Sequence, residues 1–344
     1  IKKIIFNHRA TRSCYLNINH FHSFIFLTLI IIVTYCSDNY PGFRVIGRHL
    51  YDKCGEKVIL RGVNKKIIWE DPDGMPTYEE VEKTGANVIR IVWLTRGTAG
   101  SLDTAIRNCI NQKMIPMIEC HDATGNWQML DSITNYWTRP DIISIVKKHE
   151  AYLLLNIANE AGNWDLPDSV FRSGYEKHIK KIRAAGIHVP LFIDASDWGK
   201  RIDVLQSEGP YLIEADPDKN IMFSIHMWWP KMWGYTDSSI IAEIHESVEM
   251  RLPLIVGEFG NKWEDKEGGD IPYKLIIKQC HLNEIGWIAW SWGPKNYPQT
   301  FLDMTKDGMF NTLHDWGLEV AITDSFSIKN TSVRPKFIVE KKCD

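Results

Sequence analysis

The chain has 344 residues, 44% of them hydrophobic and 24% charged, and a formal net charge of −3. That balance fits a folded globular chain, and the lack of any Lys/Arg block argues against a nucleic-acid or anionic-membrane partner. The length admits two small domains or one large one; an α/β barrel takes roughly 250 residues plus loop insertions, so one domain suffices.

Residues 1–37 read apart from the rest. Arg9 and Arg12 precede the apolar run at 24–33. Spanning a bilayer takes about 20 residues. The run instead has the length of a secretory h-region, with cleavage expected near Ser37. The expectation is therefore a secreted, extracellular chain folded over 38–344. Cys14 and Cys36 belong to the leader, which leaves Cys54, Cys109, Cys120, Cys280 and Cys343. This odd set predicts at most one or two disulfides and at least one free thiol, and its spacing gives no zinc pattern. Asn330-Thr331-Ser332 is an N-glycosylation sequon, open to use on an exported chain.

From Gly42 onward, 42–50 and 57–60 read as a small hairpin turning at Lys53-Cys54-Gly55-Glu56. Near-continuous apolar runs then recur at 59–63, 88–93, 115–119, 153–158, 191–194, 222–225, 254–257 and 287–291, as expected of parallel strands covered on both faces. Amphipathic stretches at 78–84, 102–112, 169–185, 238–250 and 271–282 lie between them. Gly85, Gly186 and Gly286 fall where helices stop. Alternating strands and helices imply a closed barrel or a doubly wound sheet. No Gly-x-Gly-x-x-Gly follows the first strand, which favours a single (β/α)8 (TIM) barrel with an N-terminal hairpin.

Such a barrel carries its site at the C-terminal ends of its strands. Here those ends hold Arg90, Glu119-Cys120-His121-Asp122, Asn156-Ile157-Ala158-Asn159-Glu160, His226-Met227-Trp228, Glu258 and Trp290-Ser291-Trp292. One buried acid after a strand is ordinary. Two Glu, two His, an Arg and several Trp on one rim suggest hydrolysis of a glycosidic bond, which needs one protonated acid and one ionised carboxylate. Arg90 is expected to keep one carboxylate charged, and that charge to discourage ionisation of the other.

The strings Val58-Ile59-Leu60-Arg61-Gly62-Val63-Asn64, Thr84-Gly85-Ala86-Asn87-Val88-Ile89-Arg90, Glu119-Cys120-His121-Asp122-Ala123-Thr124-Gly125, Asn156-Ile157-Ala158-Asn159-Glu160, Phe223-Ser224-Ile225-His226, Ile255-Val256-Gly257-Glu258-Phe259-Gly260 and Gly286-Trp287-Ile288-Ala289-Trp290-Ser291-Trp292 occur in this order. Together they resemble glycoside hydrolase family 5, most closely its bacterial-type endo-β-1,4-mannanase branch, over about 42–335. The resemblance implies a retaining enzyme with Glu160 as acid/base and Glu258 as nucleophile. It places Asn159 on the sugar 2-OH, Arg90 on Glu258, His121 on substrate hydroxyls, His226 beside Glu160, and Trp290 under the sugar. Trp69 and Trp228 complete the substrate-binding set. No metal or organic cofactor is implied; the partner is a β-1,4-linked polysaccharide such as mannan or glucomannan, and a monomer is expected.

The chain departs from that family at three places. Trp228 stands where the family has a Tyr that bonds the nucleophile, leaving Trp228 itself or Tyr235 to replace that bond. The loop Asn64-Lys65-Lys66-Ile67-Ile68-Trp69 lacks two His usual there, and Gly293-Pro294-Lys295 replaces a usual Lys-Gly-Asn. All three places flank the expected sugar subsites, so an endo-β-1,4-glucanase is the alternative within the family. A catalytically silent carbohydrate-binding protein is the alternative outside it. Trp228-Trp229-Pro230-Lys231-Met232-Trp233 is expected to form an aromatic lip extending the cleft.

Overall fold

A computed structural model describes residues 41–343 of the chain. The expected leader, with Cys14 and Cys36, lies outside these residues. The first elements form an antiparallel meander, β1 (Arg44–Ile46), β2 (His49–Tyr51) and β3 (Lys57–Val58). The expected hairpin is thus three strands, because Gly47 turns the chain in the left-handed region at φ 61° and pairs Ile46 with His49.

Eight parallel strands then close a barrel: β4 (Arg61–Lys65), β5 (Val88–Trp93), β6 (Ile115–Cys120), β7 (Leu154–Asn156), β8 (Leu191–Asp194), β9 (Ile221–His226), β10 (Leu254–Glu258) and β11 (Gly286–Ala289). Neighbours in sequence are neighbours in the barrel, and β11 pairs with β4 to close it. The first strand starts two residues later than the apolar pattern suggests. The Asn87 side chain accepts from Arg61 N (2.8 Å) and donates to Ile59 O (2.9 Å), taking the place of ladder bonds at that edge.

Helices also occupy Leu130–Trp137, Pro140–His149 and Ile202–Ala215, which the pattern leaves unassigned. The last contains Gly209 and Pro210, both poor helix formers. Gly209 is needed there: a Cβ would lie 2.8 Å from Leu252 Cδ1. No helix among the described residues is long and apolar enough to cross a membrane.

Side chains alternate between the barrel's inside and its helix-covered outside with the period of two that strands impose. Val88, Met117, Leu154, Phe192 and Met222 fill the lower interior, beneath which Phe43, Leu50 and Val58 of the meander region form a floor. Two residues further along their strands, the same line carries Arg90, Glu119, Asn156, Asp194 and Ser224, all buried. The switch from apolar to polar along one interior line is what builds the site.

Of the cysteines, Cys54 and Cys343 are disulfide-bonded, tying the C-terminal segment to the meander. Cys109, Cys120 and Cys280 are free and buried.

Candidate active site

Arg90 is the hub. Its guanidinium is fully buried and donates to Glu258 Oε1 (2.7 Å), Asn159 Oδ1 (2.7 Å), Asn64 Oδ1 (3.0 Å), Asn156 Oδ1 (3.0 Å) and Asp194 Oδ2 (3.2 Å). A flat fork of five N–H groups suits this convergence as no other side chain does. Burial alone would lower its pKa; Glu119, Asp194, Glu258 and Glu160 outweigh that and raise it.

Glu160 follows β7 with a left-handed φ of 48°, a costly conformation for a residue with a side chain. Two bonds hold it there: Glu160 N donates to Asp194 Oδ2 (3.1 Å), and its carbonyl accepts from Gly125 N (2.9 Å). Its carboxylate lies 2.7 Å from His226 Nδ1. His226 is fully buried, and its other ring nitrogen is 3.4 Å from Asp194. Burial lowers the imidazole pKa, but Glu258 and Asp194 dominate and push it up to about 10, which favours the charged ring. Asp194 moves the other way: burial is outweighed by His226 and Arg90, which hold its carboxyl at about 2.

Glu258 ends β10. One oxygen takes the Arg90 bond; the other accepts from Trp228 Nε1 at 3.3 Å. Trp228 thus occupies the place left open by the missing Tyr, whereas Tyr235 stacks on Trp229 at 4.8 Å and 3°, away from the nucleophile. Burial raises the Glu258 pKa most, His226 opposes, and Glu160 adds to the rise, with a net value of about 7. Arg90, bonded to Glu258 at 2.7 Å, works against that rise and favours the ionised carboxylate.

Around this centre the remaining expected residues take their places. Asn159 is 1% exposed and donates to Thr124 Oγ1 (2.8 Å), while Arg90 donates to its oxygen. His121 stacks on Trp290 (5.5 Å, 18°) and meets the edge of Trp69 (6.0 Å, 89°). Trp69 is 47% exposed, an open aromatic face on the rim. The expected lip is shorter than the sequence suggests. Trp229 is 1% exposed, with Nε1 bonded to Lys200 O, so of the lip's apolar side chains only Met232 and Trp233 are exposed. Trp233 leans on Trp263 at 4.8 Å.

Two of the departures from the family meet in space. Lys65 Nζ donates to Glu70 (2.5 Å) and to Gly293 O (2.9 Å), and Lys66 Nζ donates to Lys295 O. The altered loops after β4 and β11 therefore bond to each other. Asp194 is the site residue that the motifs pass over, since a single acid ending an apolar strand is ordinary and its partners lie elsewhere in the chain. Glu160, His226 and Glu258 also form a cluster tight enough for a cation, their atoms all within 4.8 Å. The Arg90 guanidinium and the His226 ring lie against the same carboxylates.

Residues 51–296 match the model for the cellulase family, glycosyl hydrolase family 5. The chain belongs to glycosyl hydrolase family 5. Among family 5 relatives, it is 34% identical over 285 residues to a mannan endo-1,4-beta-mannosidase of Salipaludibacillus agaradhaerens, covering 80% of this chain and 89% of that protein. It is 29% identical to one from Streptomyces lividans, covering 80% and 72%. The family 5 barrel also superposes on the crystal structure of beta-mannanase from Streptomyces thermolilacinus with mannohexaose. That match has a TM-score of 0.78 and 27% identity, and covers 86% of this chain and 98% of the other.

Proposed function

We propose that the chain is a retaining endo-β-1,4-mannanase acting on mannan or glucomannan. The observation that carries the reading is that one imidazole bridges the two buried carboxylates: His226 Nδ1 lies 2.7 Å from Glu160 and 3.5 Å from Glu258. A close pair suits retaining glycosidases, whose carboxyl groups lie about 5 to 5.5 Å apart, whereas inverting ones leave room for a water between them. The names of the relatives, and a similar fold solved with mannohexaose, support mannan as the polymer.

In the first step Glu258 attacks the anomeric carbon while the Glu160 proton passes to the glycosidic oxygen, and the leaving chain departs as an alcohol. Water then enters; Glu160 takes its proton, the water oxygen bonds the anomeric carbon, and Glu258 leaves as carboxylate. His226 orients Glu160, and Arg90 and Trp228 fix the two oxygens of Glu258. Asn159, His121, Trp290 and Trp69 face the sugar.

Export belongs to the same reading. It is supported by the apolar run at 24–33, by the Cys54–Cys343 bridge, which needs an oxidising compartment, and by the exposed Asn330 of the sequon. A mobility shift on treatment with a peptide N-glycosidase, after expression through a eukaryotic secretory route, tests it; an unshifted chain retained inside the cell counts against it.

The activity test is reducing-sugar release from galactomannan, glucomannan and carboxymethylcellulose, run beside Glu258→Gln. Release from the two mannans, lost in the variant, is the expected result. Release from the cellulose derivative alone overturns the substrate, and silence of the folded wild type on all three overturns the function.

A further inference from the structure

Glu119 is an expensive residue in this barrel. It ends the interior line of β6, is fully buried, and its Oε2 has no hydrogen-bond partner among the described residues. Burying a carboxylate costs several kcal/mol unless it is well paired. The Arg90 fork spends its bonds on three asparagines, Asp194 and Glu258, and lies 3.6 Å from Glu119 Oε1, too far for a hydrogen bond. One hydrogen bond to this side chain is present: His121 Nδ1 at 2.9 Å.

His121 is held on three sides. Nδ1 meets Glu119, one face stacks on Trp290, and Trp69 closes in edge-on. The ring remains partly exposed, with 21% of its side chain open, and Nε2 bonds no described residue. The charged groups that face the ring are Glu119 from its own strand, Glu258 from β10 and Arg90 from β5. Burial lowers its pKa and Arg90 opposes protonation, but Glu119 and then Glu258 prevail and raise it.

We propose that Glu119 is a positioning residue for sugar recognition, anchoring His121 through Nδ1 so that Nε2 presents an N–H to a hydroxyl of the sugar bound against Trp290. This rests on the reading of the cleft as a mannan-binding site. A carboxylate partner fixes both the ring plane and the tautomer, and a charged donor makes a hydrogen bond roughly twice as strong as a neutral one. Glu119 touches neither substrate nor nucleophile in this scheme; it acts through the imidazole.

The test is a double-mutant cycle of Glu119→Gln and His121→Gln, with kcat and KM measured on mannan oligosaccharides across pH. Glu119→Gln keeps an acceptor for Nδ1 but removes the charge. It is expected to raise KM about three- to tenfold with kcat within about twofold, and to move the rise of KM with pH to lower pH. In the His121→Gln background it is expected to add nothing. Glu119→Asp, which keeps the charge but withdraws it from the ring, serves if the glutamine variant does not fold, and should raise KM alone. Additive effects in the cycle overturn the proposal, as does a fall in kcat at unchanged KM, which places Glu119 behind Arg90 and Glu258. A wild type inactive on mannan and glucomannan overturns the proposed function instead.

Discussion

Two buried arginines, at opposite ends of the same barrel, show what separates a functional site from a packed one. Arg61 is 1% exposed and Arg90 0%, so burial does not distinguish them. Arg61 donates to Leu60 O (2.8 Å), Ile285 O (2.7 Å) and Thr331 Oγ1 (3.3 Å), and lies over the Trp287 ring. Its neighbours are neutral, and burial pulls its pKa down to about 10. Arg90 is surrounded by carboxylates that push its pKa the other way. The first arginine staples backbone. The second holds charges together that would otherwise repel, as the proposed double displacement requires.

Lysine substitution at each position gives the largest expected contrast. Arg90→Lys keeps the charge but loses the fork, so Glu258, Asn159 and Asp194 can no longer be held at once. We expect kcat/KM on mannan to fall by about 100- to 1,000-fold, of the size seen when a pre-organised donor is lost. Arg61→Lys should leave kcat/KM within about twofold and instead cost roughly 2–3 kcal/mol of stability through unsatisfied carbonyls, read by denaturant unfolding. Equal losses of activity in the two variants would erase the distinction.

A second contrast concerns the disulfide at the Arg61 end. Cys54–Cys343 closes a loop with a sequence separation of 289, so chain entropy gives an upper bound of roughly 6 kcal/mol for its stabilisation. Cys54→Ser with Cys343→Ser should lower unfolding stability by a few kcal/mol while leaving kcat and KM unchanged at 25 °C. If activity falls in step with the bridge, the two ends of the barrel are coupled more tightly than their separate hydrogen-bond networks indicate.

Much of this arrangement is legible in the amino-acid order alone. Eight apolar runs locate all eight barrel strands, because residues covered on both faces must be apolar whatever their partners. Glu160, Glu258, Arg90 and His226 stand out because so many charged groups fall together at the ends of such runs. What stays hidden depends on distant partners. Asp194 carries no motif, and its importance comes from Arg90 and His226 on other strands and from the Glu160 amide in the loop after β7. The helix over Ile202–Ala215 forms despite Gly209-Pro210 because Leu252 and Phe223 need the space that a side chain would fill. Trp229 reads as cleft and is core, since a run of aromatics does not tell which ring finds Tyr235 to stack on.

The smallest expected effect bears on the nucleophile itself. Glu258 must be ionised to attack, and with a pKa near 7 its activity should fall as the pH drops below neutrality. The Trp228 N–H bonds the oxygen at 3.3 Å, a long contact worth about 1 kcal/mol at most to the ionised form. Its removal in Trp228→Phe disfavours that form, so the acid limb of the kcat/KM profile should move to higher pH by up to roughly 0.7 units. The loss is then severalfold at pH 6 and negligible above pH 8. Trp228→Tyr restores a donor that can approach a carboxylate more closely, and should move the limb back or below its original position. A limb unmoved in both variants would leave the nucleophile to Arg90 and His226 alone, and Trp228 as a packing residue.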